Sequence, residues 1–154
     1  MKNIFALAAA GLIFAAPAFA ESHSAAMPAG DVAAGEAAFG KQCVACHVVK
    51  NEAGETLAGR ASKTGPNLYA IAGRQAGTVE DFRYGKDIVT AGEENALVWN
   101  EETFVAYVQD PTGYLREVTE NKRARGKMSF KVRSADDAAN LYAYLYSLAP
   151  PAMN

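Results

Sequence analysis

The stretch KQCVACHVVK, residues 41–50, sets two cysteines at C-x-x-C spacing with a histidine directly after the second, and Cys43 and Cys46 are the only cysteines of the 154-residue chain. Few structures use all three side chains. A disulfide uses two of them. A thioredoxin-like redox pair sits beside a βαβ pattern, and no β-rich pattern surrounds this motif. The preceding DVAAGEAAFGKQ is rich in Ala and carries Val32, Gly35 and Phe39 at helical spacing, which predicts an amphipathic helix leading into Cys43. A zinc site is poor, because Cys43, Cys46 and His47 leave only His23 as a fourth nitrogen or sulfur ligand.

C-x-x-C-H is the attachment signature of a c-type haem. The two thiols add to the two vinyl groups of one porphyrin edge, and a helical turn holds His47 beneath the iron as an axial ligand. An electron-carrying haem needs a second strong axial ligand, so that no open position remains for substrate and little geometry changes with redox state. His23 and Met27 lie in a small, polar N-terminal tail and Met153 stands one residue from the C-terminus. Met128, in RGKMSFK, lies in the body of the chain, flanked by turn residues and off any apolar stripe. It is the candidate sixth ligand, and a neutral thioether favours ferrous iron and raises the reduction potential.

The chain opens on MKNIFALAAAGLIFAAPAFA: a basic Lys2, an apolar run from Ile4 to Ala16, and Ala18-Phe19-Ala20 before Glu21. This pattern predicts a secretory signal peptide, residues 1–20, cleaved after Ala20, and hence a periplasmic product. Residues 21–30 read as a frayed tail, and one domain, 31–154, follows. No later segment reads as a membrane span. The formal net charge is −2, but its distribution is uneven. Between Arg116 and Arg133 stand Arg116, Lys122, Arg123, Arg125, Lys127, Lys131 and Arg133 against Glu117 and Glu120 alone, while acids gather at Glu93, Glu94, Glu101 and Glu102. Such a dipolar surface suits steering to a charged protein partner better than nucleic-acid binding.

Beyond CVACH, the stretches TGPNLYAIAGR (64–74), FRYG (82–85), LVWNEETFVAYVQDPTGYL (97–115), GKMSF (126–130) and LYAYL (141–145) follow in order. By them the chain resembles the class I c-type cytochromes, and most closely the bacterial cytochrome c2 and c550 group. The resemblance implies an all-α fold in which a C-terminal helix crosses the N-terminal one near Gly35 and Phe39, with shorter helices wrapped around one covalently bound haem. It implies that Pro66 offers its carbonyl to His47 Nδ1, that Arg74, Tyr84 and Trp99 hydrogen-bond the inner haem propionate, and that Tyr107 stands beside the Met128 sulfur. LREVTENKRARGK, after Tyr114, and VVKNEAGETLAGRASK, after the haem motif, are extended relative to the mitochondrial members of the family. Local signals agree on the helices. Ser134 with Asp137 reads as a capping box for a last helix whose Leu141, Leu145 and Leu148 share a face until Pro150. Asn100 reads as the cap of a helix carrying Glu101 and Glu102 and running to Pro111.

The expected function is a soluble one-electron carrier, not an enzyme. By resemblance its donor is a cytochrome bc1 complex and its acceptor a photosynthetic reaction centre or terminal oxidase. Lys122, Arg123, Arg125, Lys127 and Lys131 are the expected docking residues, and a transient carrier is expected to be a monomer. The rival readings are a five-coordinate haem enzyme or gas sensor in which Met128 stays unbound, and a thiol-disulfide oxidoreductase using Cys43 and Cys46.

Overall fold

An acid before an Ala-rich run and a serine before an Ala/Leu-rich run start the two helices on which the fold rests. The computed structural model describes residues 27–151. The leader, most of the tail, His23 and Met153 lie outside the described residues. Helix α1 (Val32–Gln42) begins where the Asp31 carboxylate accepts the Ala34 N–H at 2.6 Å, satisfying one of the helix's orphan donors. Helix α5 (Ala135–Leu148) begins where Ser134 Oγ accepts the Asp137 N–H at 3.1 Å. Only the serine half of the expected capping box forms. The Asp137 carboxylate instead accepts from Gln42 Nε2 at 2.9 Å, which ties the end of α1 to the start of α5.

These two helices cross, as the resemblance implied, at Gly35. The residue is buried, and a Cβ there would run into the Asn140 carbonyl and stand 2.8 Å from Tyr144 Cβ. One turn on, the Phe39 ring packs against the Tyr144 ring with centroids 5.7 Å apart. Leu141 and Leu145 are almost fully buried, whereas Leu148 is only partly so. Each fully buried leucine contributes about 1.5–3 kcal/mol relative to an exposed one.

Helix α2 (Lys86–Glu93), helix α3 (Glu101–Gln109) and helix α4 (Pro111–Val118) complete the helical set among the described residues. At α3 the sequence reading found the cap and missed its partner. Asn100 accepts the Thr103 N–H at 2.8 Å while Thr103 Oγ1 accepts the Asn100 N–H at 3.0 Å, a reciprocal box made with a threonine. The helix ends at Gln109 rather than running to Pro111. Pro111 is instead the first residue of α4, where a missing N–H and a preset φ cost nothing, and Asp110 caps it by accepting the Gly113 N–H at 3.2 Å. Beyond α4, Glu120 takes a left-handed φ of 51° and turns the chain away.

A short hairpin follows the cysteine motif. Strand β1 (Val48–Lys50) starts immediately after His47 and pairs antiparallel with β2 (Thr56–Gly59), with an irregularity between Val49 and Lys50. This hairpin occupies VVKNEAGETLAGRASK, the segment that is extended relative to the mitochondrial members. The β-branched Val48 and Val49, both buried, suit a pleated surface, and the Asn51 side chain closes the turn by accepting the Glu55 N–H at 2.8 Å. The fold remains helical with little strand.

Gly35→Ala is expected to destabilise the haem-loaded protein by about 1–3 kcal/mol, the usual cost of overpacking, despite alanine's better helix propensity. Gly40→Ala, in the same helix with nothing within 4 Å of the added methyl, is expected to stabilise by about 0.5–1 kcal/mol. Denaturant unfolding compares the two, and shifts of the same sign would show that close backbone approach does not limit the crossing.

Candidate functional site

The turn that ends α1 carries Cys43, Cys46 and His47 into the wall of one cavity of about 390 Å³. Its geometry is local. The Cys43 N–H donates to the Phe39 carbonyl at 2.9 Å, and the Cys46 and His47 N–H groups both donate back to the Cys43 carbonyl, at 3.0 and 2.9 Å. The three side chains are thereby presented within one turn. Burial pushes the Cys43 thiol up to about 12, with Cys46 adding in the same direction, so Cys43 enters the cavity wall as a neutral thiol or as a thioether.

His47 Nδ1 lies 3.0 Å from the Pro66 carbonyl. A carbonyl only accepts, so Nδ1 carries the proton and Nε2 keeps its lone pair. Burial lowers the imidazole's pKa, against the Pro66 contact, which acts to raise it. The neutral ring that results is the form that binds a metal. Gly65 completes the arrangement. Its N–H donates to the Cys46 carbonyl at 2.8 Å, and a Cβ on it would stand 2.6 Å from His47 Nδ1 and 2.8 Å from Nε2. Only glycine lets the backbone lie against the ring. The sequence reading quoted this residue within TGPN but gave it no role.

A backbone ladder brings the far wall together. The Trp99 N–H donates to the Arg74 carbonyl at 2.9 Å and the Gly73 N–H to the Trp99 carbonyl at 2.8 Å, beside an isolated bridge between Gln75 and Val98. Arg74 and Trp99, far apart in sequence, thus line the same cavity with Tyr84. The Arg74 guanidinium donates to the Tyr69 carbonyl at 2.8 Å and to the Asn67 carbonyl at 3.1 Å. It is half-buried and forms no ion pair among the described residues, and burial lowers its pKa while Tyr84 opposes that. Burial raises the Tyr84 hydroxyl, against Arg74 and the Val79 N–H. A cation held by carbonyls alone, beside two further donors, is a chemistry that accepts an anionic group.

Tyr107, on α3, packs edge-on against Trp99 with ring centroids 5.0 Å apart. Burial, and then Tyr84, pushes its hydroxyl up to about 12, so it stays a neutral donor. Met128 is half-buried and lines the same cavity, whereas Met27 is 80% exposed and does not. Of the nine residues expected around the cofactor, Cys43, Cys46, His47, Pro66, Arg74, Tyr84, Trp99, Tyr107 and Met128, all line this one space. The donor set is two thiols, an imidazole with a free Nε2, a thioether and an unpaired guanidinium within largely apolar walls. It fits a covalently held haem with an anionic edge.

The expected docking residues are less concentrated. Lys127 lines the cavity; Lys122, Arg123, Arg125 and Lys131 do not. Lys131 is engaged by Asp110 at 2.8 Å, with both side chains about half exposed. Lys41, which the sequence reading passed over, is exposed and lines the cavity with Lys127. Its signal was its place two residues before Cys43. Phe82 was likewise quoted within FRYG and given no role; it lines the cavity and packs edge-on against Tyr84 at 4.8 Å.

No protein-family model matches the chain. Among individual proteins, a cytochrome c2 of Rhodovulum adriaticum is 60% identical over 119 residues, covering 77% of this chain and 93% of the relative. A cytochrome c2 of Cereibacter sphaeroides is 48% identical over 148 residues, 96% of each chain. The crystal structure of cytochrome c2 from Rhodobacter sphaeroides superposes with a TM-score of 0.75 at 50% identity, covering 78% of this chain and 97% of that one. With relatives this similar over nearly their whole length, and with the cysteine pair and histidine at the wall of the cavity, the chain belongs to the cytochrome c2 group of class I c-type cytochromes, electron carriers with one covalently attached haem c.

Proposed function

We propose that this chain is a periplasmic one-electron carrier whose haem iron is held between His47 and Met128. The observation that carries the reading is the convergence of a proton-fixed imidazole and the Met128 thioether on one cavity. The haem supplies the one-electron chemistry. The chain's part is to fix His47 through Pro66 and Gly65, to hold Met128 at the cavity wall, and to exclude water with apolar side chains, which disfavours the added charge of the ferric state. Arg74, Tyr84 and Trp99 would bind the inner propionate, and Tyr107 would stand beside the Met128 sulfur. No substrate is transformed.

The same reading includes export by the leader 1–20, a short tail over 21–30 and a cytochrome domain over 31–154. Its donor is a cytochrome bc1 complex and its acceptor a photosynthetic reaction centre or terminal oxidase, both membrane complexes met transiently. Lys122, Arg123, Arg125, Lys127 and Lys131 form the steering surface, with Lys41 added because it is exposed at the cavity.

The ferric, haem-loaded protein is expected to have a weak far-red sulfur-to-iron charge-transfer band, absent in Met128→Ala. The variant's reduction potential is expected to fall by more than ~59 mV, a tenfold change in a one-electron equilibrium. A wild type without the band, which binds carbon monoxide when reduced, would instead be a five-coordinate haem enzyme or sensor. For the partners, the bimolecular rate with an isolated bc1 complex is expected to fall as salt is raised past 0.1 M, where screening acts within about 10 Å. Arg123→Glu is expected to slow the rate several-fold at low salt and flatten that dependence. A rate indifferent to salt would remove the steering surface.

A further inference from the structure

The segment that delivers Met128 is held from two sides by successive residues. On one side the Arg116 Nε donates to the Ala124 carbonyl at 3.1 Å and the Gly126 N–H to Thr112 Oγ1 at 3.2 Å. On the other side the Arg125 N–H donates to the Asp87 carboxylate at 2.9 Å, and the Lys127 ammonium donates to the Arg83 carbonyl. Residues 124 and 126 thus bond to α4, and 125 and 127 to the first turn of α2 and the loop before it. Met128 is the next residue.

The two sides differ in reach. The α4 contacts span 8 and 14 residues of sequence, so the segment keeps them if it moves together with α4. Those to Asp87 and Arg83 span 38 and 44 residues, and any movement of Met128 away from the 82–87 side breaks them. Lys127 makes further contact there. Its Nζ stands 5.9 Å from the Phe82 ring centroid, and a Cβ on Gly85 would come within 3.4 Å of its Cγ. The stem therefore lies along the glycine backbone. The receiving side is itself fixed, because Gln75 Nε2 donates to the Gly92 carbonyl at 2.8 Å and the Leu97 N–H to the Ala91 carbonyl at 2.9 Å, which join the end of α2 to the wall that carries Arg74.

We propose that Asp87 and Lys127 are positioning residues that latch the Met128 segment to the 83–87 turn and set how rarely the thioether leaves the iron. The proposal rests on His47/Met128 ligation. Neither residue touches the iron; each acts through the backbone next to Met128. An external ligand binds only when Met128 is away, so its apparent affinity reports that open fraction.

The test is a titration of the ferric, haem-loaded protein with imidazole, followed by loss of the sulfur-to-iron band. Hydrogen exchange at the Arg125 amide and denaturant unfolding are measured on the same samples. Asp87→Ala and Lys127→Met are each expected to bind imidazole about tenfold tighter than wild type, since each loses a bond with a charged partner. Asp87→Asn keeps an acceptor oxygen for the Arg125 N–H and is expected to recover most of the wild-type affinity. Glu93→Gln, at the other end of α2, is expected to match wild type. A band in wild type with unchanged imidazole affinity in Asp87→Ala, despite faster Arg125 exchange, overturns the latch alone. Affinities that merely follow global stability, Glu93→Gln included, also overturn it. A wild type with no band overturns the ligation reading and the latch with it.

Discussion

The structure depends on a backbone-to-backbone approach that only a missing side chain permits. Gly35 lets α1 lie against the Asn140 carbonyl of α5, and from that contact the positions of both helices follow. The far end of α1 then carries Cys43, Cys46 and His47 into the cavity wall, while α5 contributes Leu141 and Leu145 to the same wall. The Gln42–Asp137 hydrogen bond repeats the tie at the other end of the crossing. Because the cysteines follow α1 directly, any change in the crossing angle is passed to the attachment points without a flexible loop to absorb it.

Within the cavity, polar groups are admitted only where something directs them. Nδ1 of His47 is given to a carbonyl so that Nε2 is free, and Gly65 holds the ring in place. Burial shifts His47 towards neutrality against the Pro66 contact and, with Tyr84, keeps the Tyr107 hydroxyl protonated. Arg74 is the exception: a permanent cation whose described partners are carbonyls, which orient it without neutralising it. Its charge is therefore available to the cavity, and an anionic group there would be bound at less desolvation cost than in a cavity without it. The apolar lining and the oriented donors act together, since low polarity strengthens the few electrostatic contacts that remain.

The legible part of this chain was what lies in local pattern or in an ordered set of motifs. C-x-x-C-H, the Ala-rich helix with Gly35 and Phe39, and the Ser134 and Asn100 caps could be read directly. Cys43, Cys46 and His47 follow from the attachment signature, Met128 from its place in the body of the chain, and Pro66, Arg74, Tyr84, Trp99 and Tyr107 from the ordered motifs; all nine share one cavity. One boundary and one side-chain partner differ from the sequence expectation for physical reasons. By local rules Pro111 reads as a stop, whereas the residue serves equally well as the first of a new helix once Asp110 supplies a cap. Asp137 was assigned to its own helix cap, but Gln42 competes for its carboxylate from across the crossing, and no local rule weighs that competition. The hairpin after His47 escaped because its strands are three and four residues long, too short for alternation to register.

The basic segment around Met128 shows why charge counts mislead where side-chain partners are long-range. As a sequence it is a cluster of like charges, which reads as a solvated docking surface. In the fold its members divide. Lys131 is paired with Asp110, Lys127 is spent on the Arg83 carbonyl and the Phe82 face, and the Arg125 backbone is held by Asp87. A charge so engaged is less free to meet a partner and more able to hold the chain that carries it. Steering and retention then draw on the same short stretch of sequence. The side chains of Lys122, Arg123 and Arg125 are exposed and have no partner among the described residues, so their charges face outward undivided, while Lys127 serves the cavity first.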